Sequence, residues 1–206
     1  MHCDDVDFNK NTLKISENYE FVLTESTRFL ATINFDHTTE ILSDRFLDRS
    51  WVIMVEPPEL SNIIDYEAEE VSNIDSIVSY NSLEKYFMPK REDVLNPSIA
   101  NAFRSFNEVL IDNKKYISAR SIKAIKNYCI VAQKYMDDGV FEPLDYSISQ
   151  KILPLLNGYG EKYEEMLKDL VDISDKYELK RCSKILKKIL ENGAAEHGYY
   201  QFFGNH

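Results

Sequence analysis

Two consecutive prolines, Pro57 and Pro58, separate two kinds of pattern in this chain. Proline fixes φ and lacks an amide hydrogen, so the pair can neither extend a strand ladder nor enter a helix interior. Short extended runs stand before it. "LKI" and "YEFVL" are strand candidates and "RFLATIN" is a stronger one. "WVIMV" is the unbroken apolar run expected of a strand buried on both faces. Between the last two, "TEILSDRFLDR" has room for about two helical turns.

Beyond the prolines, apolar residues recur at helical spacing in segments parted by breakers. "DSIVSYNSLEKYFM" ends at Pro89, and "SIANAFRSFNEVLIDN" follows Pro97. "SARSIKAIKNYCIVAQKYM" opens at Ser118, a good N-cap, with a stripe of Ile122, Ile125, Cys129, Ala132 and Tyr135. "EPLDYSISQKILPLLNGYG" predicts a shorter helix broken near Pro154 and closed by Gly158 and Gly160. "EKYEEMLKDLVDIS" and "KYELKRCSKILKKILENG" predict two amphipathic helices. The second has a stripe of Cys182, Ile185, Leu186, Ile189 and Leu190, with Gly193 as its C-cap. The tail "AAEHGYYQFFGNH" carries four aromatic residues that either pack back on the body or bind a partner.

The expected class is therefore α+β, mainly α. Residues 1–57 form a β-rich part, and residues 58–206 form a helical domain with an aromatic tail. The β-rich part is short of strands, because "FLATI" and "WVIMV" both want neighbours that the sequence hardly supplies. Either the helices cover them or another segment completes the sheet.

The 206 residues, 44% hydrophobic and 29% charged, suit a globular chain with one sizeable core. A net charge of −11 and an isoelectric point near 4.9 argue against direct nucleic-acid binding, because such a surface repels phosphate backbones. Cys3, Cys129 and Cys182 form no CxxC pair and read as reduced thiols, the last two on buried helix faces. The four histidines lack ligand spacing, so no metal site is expected. No apolar run approaches the ~20 residues that span a bilayer. The acidic start "MHCDDVDFNK" is unlike a signal peptide. A cytoplasmic location follows as the expectation.

Four residues stand out as site candidates. Asn34 ends an apolar strand candidate, where ligands gather in open α/β sheets. It equally suits the start of a turn with Asp36. Arg45 and Arg49 share one face at i, i+4, either as a solvated surface with Asp44 and Asp48 or as cations offered to a phosphate. Arg120 falls in the first turn of its helix, against the dipole, which is unfavourable unless an anion is present. Lys114 and Lys115 either add to such a site or are solvated loop lysines. No GxxxxGK[ST] phosphate loop occurs, no apolar run ends in two acids, and no Ser-His-Asp or Cys-His motif is evident.

These residues carry a family resemblance. "FLATINFDHTTEILSDRFLDRSWVIMV" resembles the sensor-1 and arginine-finger region of AAA+ ATPases of the MoxR, McrB and dynein-related branch. There a strand ends in "AT-[IM]-N" and a stretch like "LSPRLLDR" follows. "YISARSIKAIKNYCIVA" resembles that branch's sensor-2 helix. "PLDYSISQKILPLLNGYGEKYEEMLKDL" resembles its later lid helices, with their "LDYAI-Q-ILP-I-G-G" pattern. The likeness spans residues 13–175.

The resemblance implies the C-terminal half of an AAA+ module: a remnant of the α/β core, then a helical lid. Asn34 would be sensor 1, orienting the attacking water. Arg49 would be the finger acting in trans, with Arg45 as alternative or second contact. Arg120 would be sensor 2 and bind the nucleotide of its own subunit. Asp44 stands where the family often has proline.

The phosphate loop and Mg²⁺-binding acids expected before residue 13 are missing, so this chain alone is not expected to hydrolyse ATP. The intact parent would be an ATP or GTP hydrolase using ATP and Mg²⁺. Its implied partners are the chain's own N-terminal ATPase half, ring neighbours (a hexamer) and a substrate protein or a restriction nuclease. Two rivals stand beside this reading: a non-catalytic helical interaction module, and a regulatory fragment that enters rings and offers a finger without a phosphate loop.

Overall fold

The computed structural model describes residues 6–7, 12–16, 19–22, 27–33, 42–55 and 79–203. Three short strands lie near the start: β1 (Val6–Asp7), β2 (Thr12–Ser16) and β3 (Tyr19–Val22). They pair antiparallel in the order β1-β2-β3, with Val6 opposite Leu13 and Leu13 opposite Phe21. The register shifts between Lys14 and Ser16. The strands predicted from "LKI" and "YEFVL" are thus present.

The two stronger strand candidates are not strands. Within "RFLATIN", residues 28–33 join no ladder, and Leu30 is 93% exposed. Asn34 lies outside the described residues. "WVIMV" likewise joins no ladder, and Val55 is 89% exposed. A strand is a shared structure, and these runs meet no second strand among the described residues, so β propensity alone leaves them irregular.

The predicted helices follow: α1 (Asp44–Leu47), α2 (Tyr80–Phe87), α3 (Pro97–Asp112), α4 (Ala119–Ala132), α5 (Glu142–Lys151), α6 (Glu161–Lys176) and α7 (Lys180–Ala195). The starts of α1 to α4 each carry a side-chain cap. Asn96 caps α3 by accepting from Ser98 N, with Pro97 in the first turn, and Ser118 caps α4 by accepting from Ser121 N. A 3₁₀ turn at Leu153–Leu155 ends α5, where Pro154 forbids continuation. The described part is mainly helical with small sheets, so α+β, mainly α, describes it.

The core gathers one stripe from each of the five helices α3 to α7. Ile99, Ala102, Phe106 and Leu110 of α3 meet Met166, Leu167 and Leu170 of α6, while Cys182, Leu186 and Ile189 of α7 close the other side. α5 lies between α4 and α7. In α4 the buried line is Ser121, Ile125, Cys129 and Ile130. Ile122 and Tyr135, both assigned to the stripe, are exposed, because the helix stops at Ala132 and its inward face is rotated from the predicted one.

The tail packs back. β4 (Asn157–Tyr159) and β5 (Tyr199–Gln201) form an antiparallel pair that buries Tyr200 and Phe202. Tyr200 Oη donates to Glu164 Oε2 at 2.6 Å. Gly193 is not a C-cap. It lies inside α7, where a Cβ would collide with the Tyr200 ring. Glycine is needed there for close approach and not for helix termination.

Candidate functional site

Two of the site candidates, Arg49 and Arg120, lie where the turn after α1 meets the start of α4, with Arg45 four residues before Arg49. Ser43 caps α1, a single turn, by accepting from Phe46 N. Leu47 buries itself beside Pro154, Leu156, Phe202 and Phe203, leaving a gap of about 10 Å³. That residue anchors the segment, and polar pins then fix the turn after it.

Asp48 is the centre of those pins. Its Oδ1 accepts from Ser118 Oγ at 2.5 Å and from buried Ser121 Oγ at 2.8 Å. Its Oδ2 faces Arg120 Nη1 at 3.5 Å. The Ser118 bond leads in holding the Asp48 carboxyl below its usual range, against the burial that opposes it. The Asp48 carbonyl accepts from Lys151 Nζ at 2.6 Å, and the Ser50 carbonyl accepts from the same atom at 2.8 Å. Lys151 is buried, and burial pushes its ammonium pKa down while Asp48 pulls it back up. Trp51 stacks at a tilt on Tyr128, 5.3 Å between centroids, with Lys151 Nζ 5.9 Å from the Trp51 ring. Val52 N donates to Gln150 O at 3.0 Å.

This geometry corrects one inference. The anion that compensates Arg120 in its unfavourable first-turn position is the chain's own Asp48 carboxylate. Asp48 was grouped with a solvated face of local ion pairs, yet its partners lie about seventy residues on, at the start of α4. Lys115 is no free loop lysine either: it donates to Asn157 O at 3.1 Å and lies over the Tyr163 ring. Lys114 is exposed, with a φ of 59°.

The arginines differ from Asp48 in this respect. Arg45 and Arg49 are exposed, and among the described residues neither side chain has a hydrogen bond or ion pair. Arg120 has the long contact to Asp48 and a side chain 62% exposed. The structure thus sets Arg120 against the carboxylate of Asp48, the residue before Arg49 in the chain, and places Arg45 four residues before Arg49. All three guanidinium groups are open to solvent.

The described thiols are not poised for chemistry. Burial pushes Cys129 up to about 11, and Cys182 well above its usual value. Among the described residues no group of His, Cys, Asp and Glu is placed to hold a metal ion, and no helix is long and apolar enough to cross a membrane.

Sequence reasoning missed Asp48, Ser121, Lys151 and the Trp51–Tyr128 contact. Ser118 as an N-cap was the one local signal near them.

No curated protein and no solved structure matches the chain. A family profile described as a domain of unknown function, DUF8727, matches residues 70–199, which include α2 to α7 and not the arginine turn. That match covers most of the chain, and the protein belongs to the DUF8727 family.

Proposed function

We propose that this chain is the sensor and lid portion of a ring-forming AAA+ NTPase that couples ATP binding and hydrolysis to remodelling of a partner or to a DNA restriction complex. Arg49 is offered in trans to the neighbour's nucleotide, with Arg45 as a second contact. Arg120 reaches the nucleotide of its own subunit, and Asn34 orients the attacking water. ATP and Mg²⁺ are held by an N-terminal half that carries the phosphate loop.

One observation carries this reading. Arg49 has an exposed guanidinium, unpaired among the described residues, on a backbone pinned at both neighbouring carbonyls by Lys151. An unpaired cation on a fixed support suits charge that develops on a transferring phosphoryl group, since nothing need reorganise when the group arrives. Arg120, largely exposed on the Asp48 carboxylate, supplies a second cation at the same turn. The order and spacing of the family-like motifs along residues 13–175 add support from outside the site.

The test begins with the DNA upstream of Met1. A strand–GxxxxGK[ST]–helix pattern there is expected, and the joined chain is expected to hydrolyse ATP. Arg49→Ala should lower turnover by roughly 10³-fold or more with nucleotide binding kept. Absence of the pattern, or unchanged turnover in the variant, overturns the reading.

A second reading has its own observation. No residue of α2 is buried, and Leu83, Tyr86 and Phe87 are all exposed on it. An apolar helix face in solvent favours a non-catalytic interaction module. If the joined chain does not hydrolyse ATP, that reading takes precedence.

A further inference from the structure

We infer that Asp48 is a positioning residue for Arg49 and that Arg120 is its releasable partner, leaving the carboxylate for an incoming phosphate-type anion while the clamp stays shut. The inference deepens the proposed function and rests on it for the identity of the anion; the clamp itself stands on geometry alone.

The donors on Asp48 are unequal. The Ser118 and Ser121 hydroxyls reach Oδ1 at 2.5 and 2.8 Å, and Ser121 is fully buried. Such short bonds to a carboxylate are the strong kind. Arg120 reaches Oδ2 at 3.5 Å from a side chain 62% exposed. A long, wet ion pair holds little free energy. An anion that presents several oxygens competes well for that exposed guanidinium and poorly for the hydroxyls, whose bonds to the carboxylate are short and, at Ser121, buried.

The backbone shows what the clamp is for. Arg49 stands between Asp48 and Ser50, and both of their carbonyls accept from Lys151 Nζ. Arg49 N bonds to Phe46 O at 3.0 Å and Ser50 N to Leu47 O at 3.1 Å. The peptide groups around Arg49 are therefore fixed, while its side chain has no partner among the described residues. Because Asp48 also holds the start of α4, the origins of Arg49 and Arg120 keep a set spacing. An error of about 1 Å in such placement costs on the order of 10²-fold in rate.

The experiment uses the full chain, whose single Trp, Trp51, packs beside Lys151. Amide exchange at Arg49, Ser50 and Val52 and Trp51 emission report the clamp. The Arg120 side-chain NMR resonance reports release. Sodium tripolyphosphate is expected to shift that resonance and leave the three amides protected. Asp48→Ala is expected to speed exchange at all three by on the order of tenfold for each ~1.4 kcal/mol of lost local stability, and to shift Trp51 emission to the red. Ser121→Ala, which keeps the charge, should do the same to a smaller extent and serves if Asp48→Ala fails to fold. Arg120→Ala should leave the amides protected. In the joined ATPase, Asp48→Ala should lower kcat by roughly 10–100-fold with KM for ATP kept.

Wild-type protection in both Asp48→Ala and Ser121→Ala overturns the positioning role whatever the protein hydrolyses. Tripolyphosphate that exposes the amides, or leaves the Arg120 resonance unmoved, overturns the release. If the clamp behaves as expected and the wild-type joined chain hydrolyses nothing, the ATPase reading fails and the clamp stands.

Discussion

Residues 97–203 bury Phe106, Leu144, Leu167 and Leu186 completely, whereas residues 42–55 bury one side chain, Leu47, and leave Ile53 and Val55 in solvent. The body closes by interlocking apolar stripes from five helices. The segment is located by one apolar anchor and then by polar pins: two hydroxyls, a guanidinium, an ammonium and one backbone bond. Burial of a core side chain contributes about 1.5–3 kcal/mol, whereas a polar bond contributes about 1 kcal/mol net. Damage to the body should therefore unfold the protein, and damage to the pins should release the segment from a folded body. The weaker attachment is also the directional one, since hydrogen bonds fix orientation where apolar contact does not.

The largest effect should come from the body. Leu167→Ala leaves a cavity at the α3–α6 contact and should cost about 2–5 kcal/mol in urea denaturation, with helix content and Trp51 emission lost in one transition. Leu47→Ala should instead move Trp51 emission ahead of the helical transition. Coincident transitions in that variant would break the comparison.

Next is a reversal of sign at Gly193. Glycine to alanine inside a helix ordinarily gains about 1 kcal/mol. Here the new Cβ meets the Tyr200 ring, so Gly193→Ala should cost about 1–3 kcal/mol by overpacking. In a Tyr200→Ala background the same change should become favourable. A double-mutant cycle measures the difference.

Lys151→Met should cost about 1–3 kcal/mol, because the Asp48 and Ser50 carbonyls lose their shared donor. Thermal denaturation gives the cost, and faster exchange at Ser50 would show that it arises in the segment.

Asp48 predicts a dependence on pH. Its folded pKa is lowered, with the Ser118 bond the largest cause. Its contribution is therefore fully present above the ordinary value of 3.8, and is lost as pH falls through the lowered folded value. Urea midpoints of wild type and Asp48→Asn should differ at pH 6 and converge in acid below that folded value. A gap that persists there would remove the charge from the account.

The smallest effect should be at the exposed end. Val55→Ser should change stability by less than about 0.5 kcal/mol, since a solvated side chain leaves little to lose. A larger loss would show that the apolar run is covered in solution, and analytical ultracentrifugation would then distinguish covering by a second copy.

The helices were legible because their signals are local. Pro97 and Ser118 each mark a helix start where the sequence places them, and Cys182, Leu186 and Ile189 fall on the face that their spacing predicts. "WVIMV" was misread because β pairing depends on a second strand, which composition cannot reveal. Gly193 was misread because a C-cap and a close approach look alike until Tyr200 is seen above it. At the site, Arg45 and Arg49 were legible as a shared face, but which of their acidic neighbours was committed elsewhere was not.

The sequence by itself determined the helical segments, the Ser118 cap and the arginine pair, since each depends on residues within a few positions of one another. Only the tertiary structure decided that Asp48 is the anion at the head of α4 and that Lys151 closes the turn beneath Arg49. Those bonds join residues about seventy and about one hundred positions apart. They exist because Leu47 docks beside Pro154 and Phe202, and no local spacing encodes that meeting.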